Sequence, residues 1–169
     1  VEHGEDWTYS LIVPRTHPAY AGAGTEVYLG VHEAIVLALA SCRVKTELIS
    51  CEGVANPSIP RKVIPGQCFS EPVALDVILV GGGAKVAGAA MKRTRAGILL
   101  QGTIDRPSIP DVDWSLFETR FVEALATYLA SEPTPVPWPD DFAEGRVPYV
   151  EQFASLGWLR ERKTPTSKT

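Results

Sequence analysis

Lys85 follows the run Gly81-Gly82-Gly83-Ala84 and is itself followed by Val86-Ala87-Gly88-Ala89-Ala90. An ammonium held beside such small residues can be brought against a carbonyl or phosphate oxygen, where it stabilises charge as it develops. Gly and Ala are poor choices for strand packing alone, and they leave room for something to lie flat against the backbone. A plainer account fits the same residues: a surface hairpin with a solvated charge, and a small-residue strand packed under a helix. The run is not a P-loop, because the spacing and the residue after the lysine are wrong for one. Asp76 opens the strand before this turn. A second group with chemistry in it is Cys68, in Pro65-Gly66-Gln67-Cys68-Phe69-Ser70-Glu71-Pro72. A thiol there could serve as a nucleophile, although a lone cysteine is most often a small buried hydrophobe. Cys42 and Cys51 have no such setting and read as structural. His17 and His32 match no pattern, and His32 is placed on the polar flank of its helix.

The elements that must position these residues can be read from periodicity. Trp7 to Val13 is aromatic and β-branched and is stopped by Pro14, which predicts a strand. Thr25 to about Cys42 repeats apolar residues at helical spacing through Val27, Val31, Ile35 and Ala38. Val44 to Ile49 is a short strand. Residues 53 to 66 contain Pro57, Pro60 and Pro65 and form a long irregular segment of the kind often used as a binding loop. Leu75 to Val80, Lys85 to Arg93 and Ile98 to Ile104 make an antiparallel meander joined by Gly-rich turns. Asp113 is a plausible N-cap for a helix from Trp114 to about Ala130. Residues 133 to 139 hold four prolines and must be extended. A last helix spans Pro148 to Arg162. The fold class is therefore α+β, with a mixed, largely antiparallel sheet flanked by helices. Residues 1 to 163 are expected to form a single catalytic domain, and 164 to 169 a flexible tail.

The chain has 169 residues, 21% of them charged and 45% apolar, with a net charge of -4. This is the composition of an ordinary soluble domain, and it argues against a nucleic-acid surface, which would carry a basic face. Three cysteines without a C-x-x-C pair or zinc spacing point to reduced thiols in the cytoplasm. No apolar run approaches a membrane span, and no signal peptide opens the chain. The first residue is Val1, and a strand begins almost at once, so residues are expected upstream.

The stretch from Asp76 to Ile104 resembles the signature of the lipoate-protein ligase and octanoyltransferase family, which is related to biotin protein ligases. In that family an Asp-bearing strand precedes G-R-K-[IV]-[AS]-G-[SA]-A-Q, and a strand ending in H-[HQ]-G-[ST]-[IL] follows. Here the order is Asp76, then Gly83-Ala84-Lys85-Val86-Ala87-Gly88-Ala89-Ala90-Met91, then Leu100-Gln101-Gly102-Thr103-Ile104. Ala84 stands at the family's Arg, Ala89 at its usual Ser and Met91 at its Gln. Val1-Glu2-His3 resembles the end of the family's R-R-x-[ST]-G-G-G-x-V-x-H loop, whose earlier part would precede residue 1. The family's cysteine-dependent octanoyltransferases carry a C-F-x-x-P segment like that around Cys68.

The resemblance implies an acyltransferase that moves an octanoyl or lipoyl group onto a lysine of a lipoyl domain or of a glycine-cleavage H-type protein. Acyl carrier protein is the possible donor. Cys68 would hold the acyl chain as a thioester and Lys85 would stabilise the carbonyl oxygen. Val1, His3, Asp76, Gly88, Ala89, Ala90, Gln101 and Gly102 would line the substrate site. Transfer would need no cofactor and no metal. An ATP-dependent lipoate ligase is the alternative, with ATP and Mg and with Cys68 incidental. A third possibility is a non-catalytic lipoate-binding homologue, or a fragment that needs a partner chain.

Overall fold

A computed structural model describes residues 5–50 and 72–161 of the chain. The chain divides into two compact units, Val1–Pro133 and Thr134–Thr169.

The first unit is built on a five-stranded sheet. Its strands are β1 (Trp7–Pro14), β2 (Thr46–Leu48), β3 (Val77–Leu79), β4 (Lys85–Arg93) and β5 (Gly97–Ile104), in the spatial order β1-β5-β4-β3-β2. Every pairing among the described residues is antiparallel. The expected meander is thus its centre, with β1 and β2 added at the two edges. Helices α1 (Gly24–Ser41) and α2 (Trp114–Tyr128) supply most of the rest of the core, with Ile109 and Val112 of the segment before α2. No helix among the described residues is long and apolar enough to cross a membrane.

Alternation along the strands decides which face is buried. On β1, Trp7, Tyr9, Leu11 and Val13 pack against the core, whereas Ile12 on the other face is 71% exposed. On α1 the buried Val27, Val31, Ala34, Ile35, Ala38 and Leu39 recur at intervals of three and four, the spacing that gathers side chains on one helical face. On α2, Phe117 and Phe121 are buried and meet Trp7 edge-on at ring separations of 5.2 and 5.6 Å. Asp113 caps α2 as expected, accepting from the backbone N–H groups of Ser115 and Leu116, each at 3.1 Å. The α1 cap is built differently. Glu26 reaches back from inside the first turn to accept from Ala23 N at 3.1 Å.

Two corrections come from the helices. His32 is not on a polar flank: it is fully buried, and its imidazole Nδ1 lies 2.6 Å from the Leu75 carbonyl oxygen. A hydrogen bond to the backbone is what allows an imidazole into an otherwise apolar stripe. The last helix is also not one element starting at Pro148. In the second unit α3 spans Phe142–Ala154 with Pro148 inside it, and α4 spans Leu156–Glu161. Ser155 is extended, and its hydroxyl accepts from Trp158 N at 3.2 Å, so it caps the start of α4 and ends α3.

One glycine of the sheet makes a stability prediction. A Cβ on Gly97 would collide with the Val13 carbonyl oxygen of the paired strand, which is backbone and cannot swing aside. Gly82, in the hairpin turn, has nothing within 4 Å of such an atom. Gly97→Ala is therefore expected to cost about 1–3 kcal/mol, the usual range for overpacking, and Gly82→Ala much less. Urea unfolding of the two variants beside the wild type tests the contrast.

Candidate active site

The hairpin that presents Lys85 depends on glycine in a specific way. Gly81 and Gly83 have φ of 84° and 65°, in the left-handed region that L side chains rarely adopt. The chain reverses there, and β4 begins at Lys85.

The pairing of β3 with β4 then slips by one residue. Val77 faces Ala87, but Ile78 faces Lys85. Val86 and Ala87 are consecutive, yet both are fully buried in the core. An extra residue of this kind is a β-bulge. Its effect is to turn Lys85 and Gly88, three positions apart, onto the same face. There the lysine side chain lies across the glycine. A Cβ at Gly88 would stand 2.6 Å from Lys85 Cε, 2.7 Å from Nζ and 3.0 Å from Asp76 Oδ1. Glycine is what leaves this space to the lysine.

Lys85 Nζ is 2.8 Å from Asp76 Oδ2, with the lysine side chain 10% exposed and the aspartate fully buried. A buried carboxylate must be paired and hydrogen-bonded to be tolerated. Asp76 meets that demand: Val73 N donates to Oδ2 at 2.8 Å and the Tyr28 hydroxyl donates to Oδ1 at 2.8 Å. Tyr28 in turn accepts from Ala89 N at 3.2 Å, a β4 amide lying beyond the end of β3. Burial is the main reason that the Tyr28 phenol titrates well above its ordinary value, so it remains a donor.

A cavity of about 560 Å³ opens beside this group, lined by Lys85, Gly88, Ala89, Ala90, Gln101 and Gly102 together with Thr8 to Ser10 and Thr103. Its size lies within the roughly 300–1,000 Å³ typical of small-molecule sites. On the outer face the register aligns Thr8, Thr103 and Gly88 in one row, and Ser10, Gln101 and Ala90 in the next. Gln101 Nε2 donates to Ser10 Oγ at 3.2 Å. Gly102 has a further use: a Cβ there would strike the Tyr9 ring, which packs beneath the sheet.

Seven of the expected site residues thus come together: Asp76, Lys85, Gly88, Ala89, Ala90, Gln101 and Gly102. Val1, His3 and Cys68 lie outside the described residues, as does Cys51. Cys42 closes α1 and has its thiol 3.6 Å from the Asp113 carbonyl oxygen. Among the described residues no group of three His, Cys, Asp or Glu could hold a metal ion.

Sequence reasoning missed Tyr28, His32 and Thr103. Tyr28 and His32 sit one helical turn apart in the buried stripe of α1, with their rings 4.2 Å apart. Two polar side chains at i and i+4 within an apolar face were the available signal. Thr103 is 8% exposed, with its hydroxyl unpartnered, and its place opposite Gly88 becomes legible only once the strand register is known.

A lysine seated on an antiparallel sheet, over small residues and against a buried carboxylate, is set in the catalytic-domain fold of lipoate-handling enzymes. Lipoate-protein ligase A bound with ATP superposes with a TM-score of 0.61 over 90% of this chain and 64% of its own, at 12% identity. A Thermoplasma acidophilum protein assigned as a lipoate protein ligase, with bound lipoic acid, gives 0.59 over the same shares, also at 12% identity. Sequence relatives are octanoyltransferases: LipM of Anoxybacillus flavithermus is 31% identical over 125 residues, and LipM of Brevibacillus brevis 27% identical over 104. No family model matches the chain. The chain is similar in sequence to octanoyltransferases and in fold to lipoate-protein ligases. It spans 42% and 37% of the length of those two relatives, and they match 70% and 62% of it.

Proposed function

We infer that the chain carries the acyl-binding half-reaction centre of an octanoyl or lipoyl transferase that modifies a lysine of a lipoyl domain. The observation that supports this most is the Lys85 ammonium, held at 2.8 Å by a fully buried Asp76 over Gly88, at the wall of a cavity on the small-residue floor.

The Cys68 thiolate attacks the carbonyl carbon of an incoming acyl thioester. The carbonyl π electrons move onto oxygen, and the Lys85 ammonium stabilises the resulting oxyanion. Collapse of this intermediate expels the donor thiolate, which takes up a proton, and leaves the acyl group on Cys68. The amine of the target lysine then attacks the same carbonyl. It loses a proton as the amide forms, and Cys68 is released as the thiol. Lys85 is suited to this part because its ammonium is oriented before substrate arrives, so little reorganisation is needed.

Acyl carrier protein is the proposed donor. The proposed acceptors are a lipoyl domain and an H-type glycine-cleavage protein. One fold neighbour is described as a bi-partite ligase together with its E2 lipoyl domain, which supports an acceptor of that class. The alternative is ATP-dependent ligation of free acid, with Mg alongside the nucleotide. It is favoured by the neighbour bound with ATP, whereas the octanoyltransferase names of the sequence relatives favour transfer.

The test is intact-mass spectrometry after incubation with octanoyl carrier thioester. The wild type is expected to gain one octanoyl group, and Cys68→Ser is expected to show no turnover-competent adduct and to lose transfer. Unchanged transfer by Cys68→Ser would remove the nucleophile. Activity with octanoate plus ATP in its place would establish the ligase reading.

A further inference from the structure

Helix α1 approaches the end of β3 with two polar side chains one turn apart, and they grip two consecutive residues. His32 Nδ1 lies 2.6 Å from the Leu75 carbonyl oxygen, and the Tyr28 hydroxyl 2.8 Å from Asp76 Oδ1. A carbonyl oxygen only accepts, so His32 carries its proton on Nδ1. Burial lowers the pKa of this imidazole and favours the neutral ring. The gripped segment is under backbone strain. Leu75 has φ of 70°, a left-handed conformation that costs a branched residue free energy and persists only where its surroundings hold it. The Leu75 amide is also tied, donating to the Ile49 carbonyl oxygen at 3.0 Å. The residue that carries Asp76 into the site is thus fixed on both sides.

We propose that Tyr28 is a positioning residue for Lys85, acting through Asp76. The proposal rests on the reading of Lys85 given above and extends it to a side chain outside the cavity wall. The hydroxyl of Tyr28 is used in both directions. It accepts from Ala89 N at 3.2 Å and donates to Asp76 Oδ1 at 2.8 Å. Accepting from a fixed strand amide sets the direction of its own O–H, so the proton is aimed at the carboxylate. With Oδ1 occupied by Tyr28, and Oδ2 shared by Val73 N and Lys85 Nζ, the carboxylate plane cannot rotate. That fixed plane, together with the vacancy of a Cβ at Gly88, leaves the ammonium one place to sit. Without the phenol Oδ1 is free, the carboxylate turns, and the ammonium follows it off the line to the reacting carbonyl. Positioning of this kind governs rate rather than affinity, because the lysine stabilises charge that exists only in the transition state.

The test has two arms, on the full chain. In the first, lysine-selective ¹⁵N labelling is used to follow the Lys85 ammonium, assigned by its loss in Lys85→Ala. A buried, paired ammonium gives a slowly exchanging cross-peak, which Tyr28→Phe is expected to broaden or abolish while the backbone amide spectrum is retained. In the second, steady-state acyl transfer by Tyr28→Phe is expected to show kcat lowered about tenfold with KM within about twofold. In an Asp76→Asn background the same substitution is expected to add almost nothing, since both act on one path. An unchanged ammonium peak in Tyr28→Phe overturns the proposal whatever the rates do. So does full additivity with Asp76→Asn. If Tyr28→Phe folds poorly, the wild type decides alone: a Tyr28 hydroxyl proton exchanging at the bulk rate, with no Overhauser contact to the Ala89 amide, overturns it. Should Lys85→Ala transfer acyl groups normally, the underlying reading of Lys85 fails instead, and the ammonium arm still reports on positioning separately.

Discussion

Lys85→Ala is expected to lower acyl transfer by about two orders of magnitude, while Lys92→Ala leaves it unchanged. The figure follows from placement. A charge-assisted hydrogen bond to a developing oxyanion, shielded from water, is worth roughly 3 kcal/mol, or about a hundredfold in rate. Lys85 is 10% exposed and fixed by Asp76, whereas Lys92 lies exposed further along the same strand. The substitution also leaves Asp76 buried without its cation. Removing one partner of a buried pair costs roughly 3–5 kcal/mol, and here the Tyr28 hydroxyl and Val73 N remain to offset part of it. Circular dichroism and a thermal melt must therefore accompany the rates. Lys85→Arg is expected to rescue poorly, because a planar guanidinium does not reproduce a compact point charge. Equal losses in the Lys85 and Lys92 variants, or none in either, would remove Lys85 from the chemistry and leave it a structural partner of Asp76.

Gly88→Ala is expected to remove most of the activity. The added Cβ meets Lys85 Cε at 2.6 Å and Nζ at 2.7 Å, and these are the far end of a flexible side chain. The lysine can move aside, but in moving it gives up both its pairing with buried Asp76 and the position that chemistry needs, so a thermal melt must accompany the rates. A loss of tenfold or more is expected in kcat, with KM little changed. Gly88→Leu reaches further and is expected to raise KM as well, because added methylenes would fill the cavity itself. The split between the two variants distinguishes two uses of Gly88: room for the lysine, and floor for an acyl chain. If Gly88→Ala raises KM alone, the glycine serves substrate rather than Lys85.

Much of this site is legible in the sequence, for identifiable reasons. The Gly81–Gly83 turn and the β-branched run before it are local signals, so the hairpin and the lysine at its end can be read directly. The small residues 87 to 90 announce that a side chain has been withheld, but not for whose benefit. That depends on the bulge and on Asp76, which pairing across the sheet decides. Tyr28 lies 48 positions before the carboxylate to which it donates, and no local pattern spans that interval. His32 was misplaced because a histidine in an amphipathic helix is ordinarily taken as solvated. Its burial depends on the Leu75 carbonyl, which lies in a strained turn and accepts from the His32 Nδ1. Proline is at home in the first turn of a helix, so a helix starting at Pro148 is a natural reading of the sequence. Here the proline is tolerated inside a helix, and the true boundary is set by the hydroxyl of Ser155.

The bulge in β4 makes the chemistry of this chain depend on counting. Side chains of a regular strand alternate, so residues three apart point to opposite faces. Lys85 and Gly88 share a face only because one surplus residue lies between them, with Val86 and Ala87 both turned inward. Deleting either of those two would restore simple alternation with the lysine and the glycine two positions apart, still on one face but without the extra length of strand over which the lysine side chain now lies across Gly88 to reach Asp76. Inserting one would lengthen that span by a further residue instead. Substitutions at Val86 or Ala87 that preserve volume should be absorbed, whereas a change of chain length by a single residue should not. The segment is thus more tolerant of altered spelling than of altered frame, and alignments of distant relatives should place their gaps in the Gly81–Gly83 turn rather than between Lys85 and Gly88.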